Sequence, residues 1–220
     1  MRTWTEDDIR NMLTLYAVTD RAWLGERSFG DVLAEVLSVP GVTCVQLREK
    51  QATAAERETL ALEAKRLCER AGIPFLIDDD VELAARIGAD GVHIGQDDLT
   101  CSEARAVLGE HAIIGVTAKT LEQAIKAQAD GADYLGVGAV FPTSTKQDTW
   151  TIDHGVLRQI CAQVSIPVVA IGGITAQNAP TLAGTGVAGI AVVSAIFAQE
   201  NIPQAVETLS CEARALRASE

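Results

Sequence analysis

Six short polar segments close apolar runs along the chain: Gln46-Leu47-Arg48-Glu49-Lys50, Asp78-Asp79-Asp80, Gln96-Asp97-Asp98, Thr143-Ser144-Thr145-Lys146, Gly172-Gly173 and Val193-Ser194. Together they bring fixed cations, carboxylates, hydroxyls and bare backbone N–H groups. That mixture suits a substrate carrying phosphate and pyrophosphate, held in part through a hard divalent cation. Gln46, Arg48 and Lys50 alternate, so strand geometry would put all three on one face. An Arg fork beside a Lys point charge matches a pyrophosphate, and the Gln amide offers both donor and acceptor to an aminopyrimidine edge. A surface loop in which Glu49 neutralises its neighbours is the plainer reading of the same five residues.

The carboxylates of Asp78-Asp79-Asp80 and Gln96-Asp97-Asp98 could share a small octahedral cation while leaving room for water and phosphate oxygens. Mg²⁺ suits them better than zinc, since no His or Cys cluster accompanies them. Helix capping competes for these residues and accounts most simply for Asp80. Thr143-Ser144-Thr145-Lys146 opens a long polar stretch reaching Asp153, which reads as a phosphate clamp on a lid. Gly172-Gly173 and Val193-Ser194 offer backbone N–H groups to an anion, glycine leaving the approach clear of side chains.

The elements that must position these groups alternate. Runs rich in Val, Ile and Gly read as buried strands at Leu13–Thr19, Thr43–Leu47, Pro74–Ile77, Gly91–Gly95, Ala112–Thr117, Tyr134–Val140, Pro167–Ile171 and Gly189–Val193. Ala/Leu/Glu/Arg-rich segments with helical spacing lie between them, the longest being Ala54–Ala71. Gly72, Gly88, Gly109, Gly131 and Gly186 mark helix ends. Eight strands and eight helices in strict alternation predict an α/β fold, a (β/α)8 barrel in one domain over residues 1–220. Residues 5–12 add a short N-terminal helix capped by Thr5. Every polar segment named above then falls at the C-terminal end of a strand, the face where such barrels carry their chemistry.

Bulk properties narrow the partners. A net charge of −12 disfavours nucleic acid and anionic membrane surfaces, and aromatics at 4% leave little for base stacking. No apolar run approaches a membrane span, and the polar, acidic start lacks the features of a signal peptide, so a cytoplasmic location is expected. Cys44, Cys68, Cys101, Cys161 and Cys211 show no paired spacing and read as reduced thiols, mostly in the core. His93 reads as a satisfied core residue facing the barrel interior, and His111 and His154 as loop or helix-start positions. Homo-oligomerisation is left open by the sequence.

In order and spacing, VQLREK, GADGVHIGQDD, GADYLGVGAVFPTSTK, VVAIGGI and VVSAIF resemble the thiamine-phosphate synthase (thiamine-phosphate pyrophosphorylase) family, the likeness running from Tyr16 to about Phe197. The resemblance implies an Mg²⁺-assisted transferase. It would join 4-amino-2-methyl-5-hydroxymethylpyrimidine diphosphate to 4-methyl-5-(2-phosphoethyl)-thiazole and release pyrophosphate. It further implies that Gln46, Leu47, Arg48, Glu49, Lys50, Asp78, Thr117 and Lys146 hold the pyrimidine diphosphate, with Arg48, Lys50 and Lys146 taking the developing charge. Asp79 and Asp98 would bind Mg²⁺, and Thr143, Ser144, Thr145, Gly173, Val193 and Ser194 would hold the thiazole phosphate. Three positions depart from the family pattern: Asp78 for Asn, Thr117 for Ser and Lys119 for His. The competing readings are a thiazole-phosphate tautomerase on the same fold, which would need a His at position 119, and a non-catalytic thiazole- or thiamine-phosphate-binding protein.

Overall fold

The computed structural model describes residues 3–143 and 150–218. Eight strands run parallel and close into a barrel: β1 (Leu15–Val18), β2 (Cys44–Leu47), β3 (Phe75–Asp78), β4 (Gly91–Ile94), β5 (Ile113–Ala118), β6 (Tyr134–Gly138), β7 (Val168–Ile171) and β8 (Gly189–Val192), with β8 pairing back onto β1. Around it lie α2 (Phe29–Val36), α3 (Ala54–Ala71), α4 (Val81–Ile87), α5 (Cys101–Leu108), α6 (Leu121–Ala129), α7 (His154–Gln163), the short α8 (Ser194–Phe197) and α9 (Ile202–Arg217), after an initial α1 (Glu6–Met12). The expected barrel is therefore the observed one, with one difference. The β7–β8 connection carries only a 3₁₀ turn at Ala179–Leu182 in place of an α-helix. Pro180 sits in that turn, and Gly184 and Gly186 follow it at positive φ, so the short connection never winds a full α-helix.

Local chemistry sets the helix starts. Thr5 and Thr53 each accept from the backbone N–H three residues on, while Asp8 and Glu56 reach back to the cap, forming reciprocal capping boxes on α1 and α3. Gly72 closes α3 in the left-handed conformation.

Side chains alternate between two cores. Those pointing outward from the strands pack under the helices, among them Leu15, Val45, Leu47, Phe75, Ile77 and Val92. Those pointing inward fill the barrel with Tyr16, Leu76, Ile113, Tyr134, Val169 and Ala191, and Ile9 and Met12 of α1 join this inner cluster. Two inner positions are glycine for a steric reason. A Cβ on Gly115 would lie 2.0 Å from Tyr134 Cζ, and one on Gly136 would lie 2.8 Å from His93 Cε1. These glycines make room for two polar rings in the barrel axis.

Candidate functional site

A cavity of about 140 Å³ opens at the C-terminal ends of the strands. Gln46, Arg48, Asp78, Thr117, Thr143, Gly173, Val193 and Ser194 all line it, joined by Val18, His93 and Lys119. Strand register brings them together. Val18 pairs with Gln46, Asp78 with His93, and Thr117 with Gly136, and in a parallel sheet paired residues share a face.

One wall is charged. The Asp78 carboxylate lies 3.2 Å from Lys50 Nζ and 3.9 Å from Arg48 Nε, while Arg48 Nη1 lies 3.8 Å from Asp20. Lys50 also pairs with Asp79. Burial alone would lower the Lys50 ammonium, but Asp78 and Asp79 outweigh it and hold its pKa above the usual lysine value. Asp79 is the only non-glycine residue at positive φ among the described residues (60°). Its carboxylate approaches Asp98, whose carboxyl is held above the usual range by burial and then by that neighbour, the Gly95 N–H partly offsetting both. Two carboxylates that repel each other beside a lysine suit a hard divalent cation. Among the described residues no cluster of three or more His, Cys, Asp or Glu side chains forms a complete metal cage. A cation held here would draw its remaining ligands from water and substrate oxygens.

Lys50, Asp79 and Asp98 are not among the residues lining the cavity, and Leu47, Glu49 and Asp80 turn away from it. Leu47 is buried under the helices. Glu49 is buried too, its Oε2 accepting from Arg21 Nε at 2.7 Å, and burial pushes its carboxyl up. Glu49 therefore neutralises Arg21, not Arg48 or Lys50 as the loop reading supposed. Leu47 and Glu49 can reach a ligand only through backbone. Asp80 is a cap, its Oδ1 accepting from Leu83 N and its Oδ2 from Arg57.

The opposite wall is formed by backbone. Gly172 and Gly173 have φ of 98° and 66°, and a Cβ on Gly173 would lie 2.3 Å from the Pro142 carbonyl. A Cβ on Gly172 would meet that of Ala139 at 2.5 Å. The pair is glycine because the 139–142 segment crosses over it, a reason more specific than open access for an anion. Ser194 starts α8 beside this wall. Ser144, Thr145 and Lys146 lie outside the described residues. Lys119 Nζ sits 4.5 Å from the centre of the exposed Trp150 ring.

The floor is a polar chain that the sequence did not announce. Gln46 Nε2 donates to Tyr16 Oη at 3.1 Å, the Tyr16 and Tyr134 hydroxyls are 3.0 Å apart, Tyr134 Oη lies 2.9 Å from His93 Nδ1, and His93 Nε2 lies 2.9 Å from Thr117 Oγ1. Burial pushes both phenols well above their usual pKa, so they stay neutral. His93 is the satisfied interior residue expected, yet it also lines the cavity. Tyr16 and Tyr134 gave no signal beyond apolar strand positions.

Residues 15–196, which include all eight strands and these site segments, match a family model described as thiamine monophosphate synthase. The chain belongs to the thiamine monophosphate synthase family. It is 47% identical to the thiamine-phosphate synthase of Alkaliphilus oremlandii over 195 residues, covering 89% of this chain and 93% of that protein. It is 45% identical to the enzyme of the same name from Clostridium tetani over 197 residues, covering 90% and 94%. Among solved structures, the thiamine phosphate pyrophosphorylase of Pyrococcus furiosus superposes with a TM-score of 0.86 at 38% identity, covering 94% of this chain and 98% of that one. These matches span nearly the whole barrel, so the family membership extends to the strand ends that carry the site.

Proposed function

We propose that this chain is a thiamine-phosphate synthase that condenses 4-amino-2-methyl-5-hydroxymethylpyrimidine diphosphate with 4-methyl-5-(2-phosphoethyl)-thiazole. The observation that carries the reading is the convergence of two unlike walls on one cavity. Gln46, Arg48 and Thr117 line it together with Gly173, Val193 and Ser194. Arg48 and the neighbouring Lys50 suit a diphosphate and the glycine side a monophosphate, so two phosphorylated substrates can meet between them.

In the reaction the bond from the exocyclic methylene carbon to the diphosphate oxygen breaks, the pair of electrons leaving with pyrophosphate. The amino group of the pyrimidine donates into the carbon left behind, and the thiazole nitrogen supplies the electron pair of the new C–N bond. No protein nucleophile is required. Arg48 and Lys50 take up the charge that develops on the leaving oxygens, and Lys146 is assigned the same role from the family resemblance. Gln46 pairs with the pyrimidine edge through its remaining N–H and its carbonyl oxygen. Asp79 and Asp98 are the residues that would hold Mg²⁺, which when bound neutralises pyrophosphate charge. Thr143, Gly173, Val193 and Ser194 orient the thiazole phosphate so that its nitrogen faces the reacting carbon. The tautomerase reading lacks its base, since position 119 is Lys.

The two-wall assignment is tested by splitting the Michaelis constants. Arg48→Ala is expected to raise KM for the pyrimidine diphosphate alone, and Ser194→Ala to raise KM for the thiazole phosphate alone. If each substitution moved both constants equally, the division of the cavity into two subsites would be wrong.

A further inference from the structure

We propose that His93 is a positioning residue for this reaction, a role that rests on the functional reading above. Through Tyr134 and Tyr16 on one side and Thr117 on the other, it locks Gln46 and Thr117 into one donor–acceptor pattern. The five groups form an unbroken series across the barrel, with contacts between 2.9 and 3.1 Å. The sequence clears space for it by placing Gly115 against the Tyr134 ring and Gly136 against the His93 ring.

The polarity of the series follows from its ends. The Gln46 Nε2 atom only donates, so Tyr16 Oη accepts from it and passes its own proton on to Tyr134. Tyr134 then donates to His93 Nδ1, which must be the unprotonated ring nitrogen. The imidazole carries its proton on Nε2 and donates to Thr117 Oγ1, leaving the Thr117 hydroxyl proton to point at a ligand. The reverse polarity would make Tyr16 Oη accept twice and leave its proton only the Cys44 sulfur, which also contacts Tyr16 and is a weak acceptor. Gln46 thus presents a fixed amide and Thr117 a fixed donor, both at the wall assigned to the pyrimidine diphosphate.

The test uses the full chain labelled with ¹⁵N-histidine at pH 7.5, without ligand, and reads the His93 tautomer from long-range ¹H–¹⁵N correlations. The expected result is the neutral Nε2–H form. A neutral Nδ1–H ring or an imidazolium would overturn the proposal. In parallel, Tyr134→Phe removes the central hydroxyl while keeping the ring that fills the space beside Gly115. It is expected to raise KM for the pyrimidine diphosphate by roughly 5- to 10-fold, the effect of about one hydrogen bond, and to leave KM for the thiazole phosphate unchanged. Tyr16→Phe should behave the same way. Equal rises in both constants would mark a merely structural role and overturn the proposal. Because the tautomer is read without substrate, a protein with the expected tautomer but no condensation activity would refute the functional reading and leave the polarity of the series standing.

Discussion

Replacing Asp78 by Asn isolates the electrostatics of the charged wall. The carboxylate engages Lys50 at 3.2 Å and Arg48 at 3.9 Å, the two cations assigned to the leaving pyrophosphate. A resident anion therefore competes with the incoming one. The Lys50 side chain is 50% exposed, so solvent screens its pair with Asp78. Each such pair is worth about 0.2–1 kcal/mol, and releasing both amounts to roughly 1 kcal/mol, or about a 5-fold change in an equilibrium constant. Asp78→Asn is expected to lower KM for the pyrimidine diphosphate by about that factor, with kcat within about 3-fold of the parent. The Lys50 ammonium should also titrate lower, since Asp78 is the leading influence raising it. Steady-state kinetics at saturating Mg²⁺ and thiazole phosphate measure the effect. A loss of activity by about a hundredfold or more, which is more than 2 kcal/mol, would refute the reasoning and make the Asp78 carboxylate a required ligand.

Three further outcomes follow from the same arrangement. Lys146→Ala should reduce turnover by at least about 10-fold, since a hydrogen bond to a charged group contributes roughly 1.5–3 kcal/mol; unchanged turnover would remove Lys146 from the site. Asp98→Asn should raise the melting temperature of the metal-free protein at pH 7. Asp98 has a folded pKa above its ordinary value, so stability falls as pH rises from the unfolded to the folded pKa and stays reduced above it. The gain should disappear when the pH falls below the ordinary value of 3.8, and a variant less stable than the parent at pH 7 would contradict it. Gly115→Ala should destabilise by about 1–3 kcal/mol through overpacking, because its Cβ would lie 2.0 Å from Tyr134 Cζ; urea denaturation with an unchanged midpoint would contradict that account.

The barrel was legible in the sequence because its strands are buried on both faces and read as continuous Val/Ile/Gly runs, separated by helices with clear stops such as Gly72 and Gly88. The β7–β8 crossover was not, because Ala179–Leu182 looks helical in composition while Pro180 and the following glycines shorten it. Within the site, period-2 spacing grouped Gln46, Arg48 and Lys50; Gln46 and Arg48 line the cavity, whereas Lys50 meets it only through its pair with Asp78, and the same alternation explains why Leu47 and Glu49 face away. What spacing could not convey was pairing across strands. Glu49 meets Arg21, and Tyr16, Tyr134 and His93 join only because β1, β6 and β4 bring their inward-facing side chains together at the barrel axis. Gly172 and Gly173 were recognised as special, but the crossing 139–142 segment that requires them is a tertiary fact.

The measurement that bears most directly on the central claim is the stoichiometry of products from purified protein supplied with both substrates and Mg²⁺. Thiamine phosphate and pyrophosphate should appear in equal amounts, and both should vanish when either substrate or the metal is omitted. Saturable binding of the thiazole phosphate with neither product formed would contradict the account.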